Sequence, residues 1–255
     1  MTRPDLIHAE HLGDPEGRRL VFVHGFTQTG RNWDPVLNQL GDGFHVVVAD
    51  APGHGGSLEA PCGLWEGARA MAAAAGPGVW IGYSMGGRYA LHVALACPQA
   101  VERLVVIGAT GGIDDPGERE GRRRHDAALA DRLTAVGLDV FLDEWLSDPM
   151  FAGLLPTAGD RRARRANTAA GLAASLRRAG TGSQDPLWGR LPELAMPVLA
   201  VAGGKDAKFG ALAQRLASSI GANARRELID GAGHAAHLER PEAFVRVLRA
   251  FVDGR

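Results

Sequence analysis

"GVWIGYSMGGRYALHVALA" occupies residues 78–96 and decides how the rest of the chain is read. Its opening, "GVWIGYS" (78–84), is a short unbroken apolar run, as in a strand buried on both faces; from Gly86 the pattern becomes that of a buried helix. Between the two stands Ser84, with Gly82 and Gly86 two residues away on either side. A G-x-S-x-G turn joining strand to helix is the setting of a nucleophilic serine, because the turn is so tight that a Cβ at the glycines would strike neighbouring backbone. The same five residues in a loop would be an ordinary turn, and a chain with 35 glycines makes chance matches common. The flanking strand and helix favour the nucleophile.

Five further runs resemble the first: "RLVFVHG" (19–25), "FHVVVAD" (44–50), "RLVVIGA" (103–109), "MPVLAVAGG" (196–204) and "RRELID" (225–230). Read as strands buried on both faces, they alternate with helix candidates around 33–40, 63–75, 86–97, 209–220 and 241–252, the last opening at Pro241, a favoured first helical residue. Such alternation predicts a doubly wound, mostly parallel α/β sheet. The rhythm breaks between about Gly111 and Arg190, where only Arg- and Ala-rich helical segments occur. The expected organisation is a core of 1–110 and 191–255 with a helical cap, 111–190, inserted over the carboxyl ends of the strands, where open sheets of this kind keep their ligands.

Composition narrows the function. A chain of 255 residues, 45% hydrophobic and 22% charged, builds one large soluble domain or one with an insertion. A formal net charge of −1 offers no footprint for nucleic acid or an anionic membrane. No apolar run is long enough to span a bilayer, and "MTRPDLIHAEHLGDPEG" (1–17) lacks the apolar core of a signal peptide, so a cytoplasmic address is expected. Cys62 and Cys97 have neither CxxC spacing nor adjacent histidines, which predicts free thiols rather than a disulfide framework or zinc site. Nothing in the ligand spacing suggests a metal or cofactor. Arginine outnumbers lysine so heavily (the lysines are Lys205 and Lys208) that a single arginine is a weak signal.

Partners for Ser84 appear in the order serine, acid, histidine that suits this architecture. "AVAGGKDAKF" (200–209) puts Asp206 just past a strand end, and "LIDGAGHAAHLERP" (228–241) puts His234 in the loop after the next one. His237 is the rival base; it precedes the final helix and is suited to packing, whereas Gly231 and Gly233 permit an exposed loop at His234. In "VHGFTQTG" (23–30) the Phe26 amide can join that of Met85 in an oxyanion hole. "DAPGHGGS" (50–57) reads as a structural turn.

Taken in order, "HGF", "PGHGGS", "GYSMGG", "GGKD" and "GAGH" resemble the α/β-hydrolase superfamily across nearly the whole chain. Within it, "GYSMGGR", "GGKDAKF", "GHAAHLERP" and the cap are similar to the MenH-type lyases of menaquinone biosynthesis, which make 2-succinyl-6-hydroxy-2,4-cyclohexadiene-1-carboxylate. That resemblance implies a lyase that eliminates pyruvate from a polycarboxylated cyclohexene, needs no cofactor, and grips carboxylates with arginines. Carried onto this chain, it implies substrate contacts from Arg88, Arg122 and Arg165, with Tyr83, Trp145 and Phe151 lining the pocket. Arg123 and Arg124 compete with Arg122 for the inward position, and the cap's 12 arginines are balanced by 12 acidic residues, as on a solvated helical surface. A serine carboxylesterase working through an acyl-enzyme is the alternative, and a ligand receptor on the same scaffold a further one. A cationic pocket favours the lyase, an apolar one the esterase.

Overall fold

Seven strands form one sheet in the order β1-β3-β2-β4-β5-β6-β7. The computed structural model describes residues 6–60 and 63–254. The strands are β1 (Ala9–Gly13), β2 (Arg18–Val23), β3 (Phe44–Ala49), β4 (Gly78–Tyr83), β5 (Val101–Ile107), β6 (Val198–Gly203) and β7 (Ala224–Ile229). All neighbours pair in parallel except β1, which runs antiparallel to β3 with Ala9 opposite Ala49.

Side-chain alternation explains the unbroken apolar runs. Along β2, Val21 and Val23 face one core and Leu20 and Phe22 the other; along β4, Trp80 faces the first and Val79 and Ile81 the second. The first core is covered by α2 (Leu64–Ala75), α3 (Met85–Ala96) and α8 (Ala207–Ile220), the second by α1 (Asp34–Leu40), the short α9 (Ala236–Glu239) and α10 (Pro241–Val252). With both faces dry, neither parity of position tolerates polar side chains.

The edges depart from expectation for the same reason. Strand β1, "AEHLG", was not among the expected strands: half exposed on the sheet edge, it carries no buried run. At the other edge β7 forms where expected, yet Arg225, Arg226 and Glu227 are not buried, so it is not enclosed on both faces. An edge strand needs only one dry flank.

Between β5 and β6 the chain forms α4 (Pro116–Val136), α5 (Leu138–Leu146), α6 (Ala158–Arg164) and α7 (Ala169–Ala179), with no strand. Their starts follow from capping: Asp115 accepts from Glu118 N–H at 2.8 Å ahead of Pro116, and Thr168 accepts from Gly171 N–H at 3.0 Å. These helices share a small core of their own, with Leu133, Phe141, Leu172 and Leu176 buried in it. Cys97 is half-buried and unpaired, while Cys62 lies outside the described residues. Among the described residues no helix is long and apolar enough to cross a membrane.

The β4–α3 junction is closely packed. A Cβ on Gly82 would meet the Gly86 carbonyl, one on Gly86 the Val23 carbonyl, and one on Gly87 the Ala109 methyl at 2.7 Å. Because those obstacles at Gly82 are backbone, Gly82→Ala should cost about 2 kcal/mol and lower Tm by roughly 4–8 °C in a calorimetric scan. An unchanged Tm would show that the junction is looser than its geometry.

Candidate active site

Ser84 has φ +51 and ψ −108, a conformation that L-residues rarely adopt. It is held from both sides: Ser84 N–H donates to Ile107 O at 2.7 Å, and Ser84 O accepts from Arg88 N–H at 3.1 Å as α3 begins. Imposed by the crowded glycines, the strain lifts the hydroxyl out of the sheet.

Segments at the carboxyl ends of β4, β6 and β7 meet there. His234, after β7, donates from Nδ1 to Asp206 Oδ2 at 3.0 Å and faces Ser84 Oγ with Nε2 at 3.4 Å. The second distance is long for an O–H···N bond but of the kind that tightens when substrate binds. Asp206 has two tasks: its Oδ1 caps α8 by accepting from Phe209 N–H at 3.0 Å, while Oδ2 takes the histidine. Partial burial raises the Asp206 pKa, but the His234 and Phe209 hydrogen bonds outweigh it and hold the carboxyl below its ordinary value.

Glu239 gives the His234 loop its shape. Its two carboxylate oxygens accept from Gly233 N–H at 2.7 Å and Ala235 N–H at 3.1 Å, the amides on either side of the histidine. His237, the rival base, lies buried in α9 against the rings of Trp33 and Tyr83, at 4.5 and 4.3 Å between centroids, with no partner for its Nδ1. Among the described residues no hydrogen bond links it to Ser84 or Asp206.

Phe26 and Met85 border the Ser84 cavity, and neither backbone N–H is engaged by another group among the described residues. The cavity measures about 130 Å³ and is walled by Tyr83, Trp145 and Phe151 as well. Burial pushes the Tyr83 phenol far above its ordinary pKa, so it stays protonated. The Trp145 indole N–H is buried without a protein partner. A larger open cleft, about 660 Å³, lies on the other side of His234; it shares Lys208, Phe209 and Met150 with the first but does not reach Ser84.

The arginines sort by orientation. Arg88, 7% exposed and one helical turn beyond Ser84, lines the cavity and donates to Ala179 O at 2.6 Å; burial lowers its pKa to about 10. Of the three consecutive arginines, Arg122 lines the cavity, donating to the buried Asp126 at 2.7 Å, whereas Arg123 pairs with Glu120 and Arg124 is exposed. Arg165 must be corrected: it lies on the outer surface of the cap, paired with Asp139 at 2.6 Å. Its neighbour Arg164, 2% exposed, lines the cavity instead, donating to Asp160 at 2.9 Å and to Thr27 Oγ1. One residue along a helix turns a side chain by about 100°, which separates the inner from the outer face. Lys208 also borders the cavity and has no ion pair among the described residues. Four cationic side chains thus line the cavity, with Asp126 the carboxylate among its lining residues. Among the described residues no cluster of His, Cys, Asp and Glu has the geometry to hold a metal ion.

The chain belongs to the α/β hydrolase family, whose description matches residues 20–247. A 2-succinyl-6-hydroxy-2,4-cyclohexadiene-1-carboxylate synthase from Salmonella paratyphi C (strain RKS4594) is 35% identical to it, over 94% of this chain and 96% of its own. MenH from S. aureus superposes with a TM-score of 0.89 at 29% identity, covering 97% of this chain and 98% of that one. A thermophilic esterase from Thermogutta terrifontis, in a malate-bound structure, superposes with a TM-score of 0.78 at 23% identity over 97% of this chain and 93% of its own, a likeness of fold alone.

Several buried histidines tie this region to pH. Burial lowers the pKa of His54 and His237 to about 3 and of His92 to about 4, and lowers that of His24, all from 6.5. These groups are neutral when folded but take up protons below pH 6.5 when unfolded, so stability is full above that value and is lost as pH falls toward 3–4. Tm measured from pH 7.5 down to about 5 should fall, and less steeply in His237→Leu. A flat profile in the parent would contradict neutral burial.

Proposed function

We propose that this chain is a cytoplasmic MenH-type lyase, eliminating pyruvate from a polycarboxylated cyclohexene intermediate of menaquinone biosynthesis, with Ser84, His234 and Asp206 as its catalytic triad. The observation that carries the proposal is the lining of the Ser84 cavity: Arg122 and Arg164 are paired with Asp126 and Asp160, while Arg88 and Lys208 have no ion pair among the described residues. A substrate with several carboxylates gains from planar guanidinium forks in a dry site, whereas an uncharged ester gains nothing. The identity to the Salmonella synthase over nearly the full length of both chains points the same way.

In this mechanism His234, oriented through its Nδ1 by Asp206, takes the Ser84 proton at Nε2. The resulting alkoxide removes a proton from a ring carbon. The C–H electron pair forms the new C=C bond, the C–O bond breaks, and pyruvate departs as its enolate, which is protonated on release. The Phe26 and Met85 amides stabilise the enolate-like charge on the ring substituent as the proton leaves. The chemistry closes on side chains and backbone, and requires no cofactor. Used as a nucleophile, the same serine would give the alternative, an esterase with an acyl-enzyme.

Ser84→Ala should abolish pyruvate release while leaving Tm nearly unchanged, and His234→Ala should cost far more in kcat than His237→Ala. Comparable losses at the two histidines would mean that the wrong base has been chosen. For the substrate, Arg122→Ala should lose about 10–150-fold in kcat/KM for pyruvate release, corresponding to a charge-assisted contact of roughly 1.5–3 kcal/mol, and leave p-nitrophenyl acetate hydrolysis largely intact. A parent enzyme that turns over simple esters efficiently but releases no pyruvate would overturn the lyase assignment in favour of the esterase.

A further inference from the structure

The Phe26 amide sits in a four-residue turn. Gln28 N–H donates to Gly25 O at 3.2 Å, and the Gln28 side chain accepts from Gly25 N–H at 2.9 Å. The third residue, Thr27, has φ +67. Type II turns demand positive φ at that position and use glycine or asparagine for it; a β-branched residue there is strained. Something must hold Thr27 in place, and the turn's own two hydrogen bonds touch neither of its polar groups.

The inserted helices hold it. Thr27 Oγ1 accepts from Arg164 Nη1, and Thr27 O accepts from Asn167 Nδ2 at 2.8 Å. Both donors are themselves fixed. Asn167 Oδ1 accepts from Gly55 N–H at 2.9 Å, and Arg164 is held by Asp160, whose other oxygen accepts from Asn32 Nδ2 at 2.6 Å. The Phe26 ring is enclosed as well, edge-on to Trp145 at 5.2 Å and to Phe141 at 6.4 Å between centroids. Thr27, Arg164 and Asn167 are all nearly inaccessible to solvent, at 0, 2 and 4% exposure.

We infer that the cap assembles the oxyanion hole: Arg164 and Asn167 are positioning residues that hold Thr27 in its left-handed conformation and so keep the Phe26 N–H directed at the Ser84 cavity. The strained turn stays in shape only while α6, α7 and the link between them are docked on the core. The inference rests on Ser84 being the reactive group, as proposed above, but not on the identity of the substrate.

Asn167 tests it cleanly, because it does not line the cavity. Asn167→Ala, Thr27→Gly and the double variant would each be assayed in the full chain. One readout is kcat and KM for pyruvate release. The other is the rate at which diethyl p-nitrophenyl phosphate blocks Ser84, followed by p-nitrophenolate release, since its phosphoryl oxygen needs the same hole. Asn167→Ala should lower kcat and the blocking rate by about tenfold or more with KM changed little, at a temperature where circular dichroism shows it folded. Glycine adopts positive φ unaided, so in the Thr27→Gly background the same substitution should cost less than about threefold. The inference is overturned if Asn167→Ala lowers Tm alone and leaves both rates within about twofold of the parent, or if its cost is the same in both backgrounds. A parent that is blocked by the phosphate ester yet releases no pyruvate would count against the lyase assignment, and the blocking rates would still decide the role of the cap.

Discussion

The backbone at Ser84 is the constraint on which the remainder of the molecule turns. A residue at φ +51 persists only where its surroundings leave no alternative, and here β4 and α3 approach so closely that Gly82, Gly86 and Gly87 have no room for a side chain. Since β4 lies in the middle of the sheet, between β2 and β5, the turn it forces is flanked by the loops that follow its neighbours. The Phe26 turn comes from β2, and the Asp206 and His234 loops from β6 and β7 further along the same edge. Helix α3 then starts at Met85 with its first amides unclaimed, and its first full turn carries Arg88 into the same cavity.

Two carboxylates stiffen the histidine side of the site, and each is used twice. Asp206 caps α8 with one oxygen and fixes the His234 ring with the other, so its position is set by a helix as well as by the imidazole. Glu239 spans the amides before and after His234. The N–H donors that Asp206 meets outweigh its partial burial and hold its carboxyl below the ordinary pKa. The cations opposite are treated differently. Arg88 is tied only to a backbone carbonyl, and Lys208 has no ion pair among the described residues, leaving positive charge over for a ligand.

The inserted helices are bound to this arrangement through polar contacts rather than a broad apolar seam. Their small core is separate from the two that flank the sheet, and Phe26 is one of the few side chains packed against both. Thr27 and Asn32, both in the connection from β2 to α1, and Gly55, in the loop after β3, are each hydrogen-bonded to the segment from Asp160 to Asn167. Hydrogen bonds of this kind fix a geometry closely while contributing modest free energy.

By itself the sequence determined what repeats along a strand or helix and what lies adjacent in the chain. Continuous apolar runs marked β2 to β6 because both parities of position face a dry core, and the glycines around Ser84 marked the elbow because steric exclusion acts between near neighbours. The order of Ser84, Asp206 and His234 was legible too, since each follows its own strand. Strand β1 left no such trace, being half-solvated at an edge. The tertiary structure alone decided which face of a helix meets the cavity. Arg164 and Arg165 are chemically the same and adjacent, and the rotation between them sends one to Thr27 and the other to Asp139. Asn167 and Glu239 escaped for a related reason: their work is to hold backbone groups brought beside them by folding, and nothing in their local spacing encodes a partner so placed.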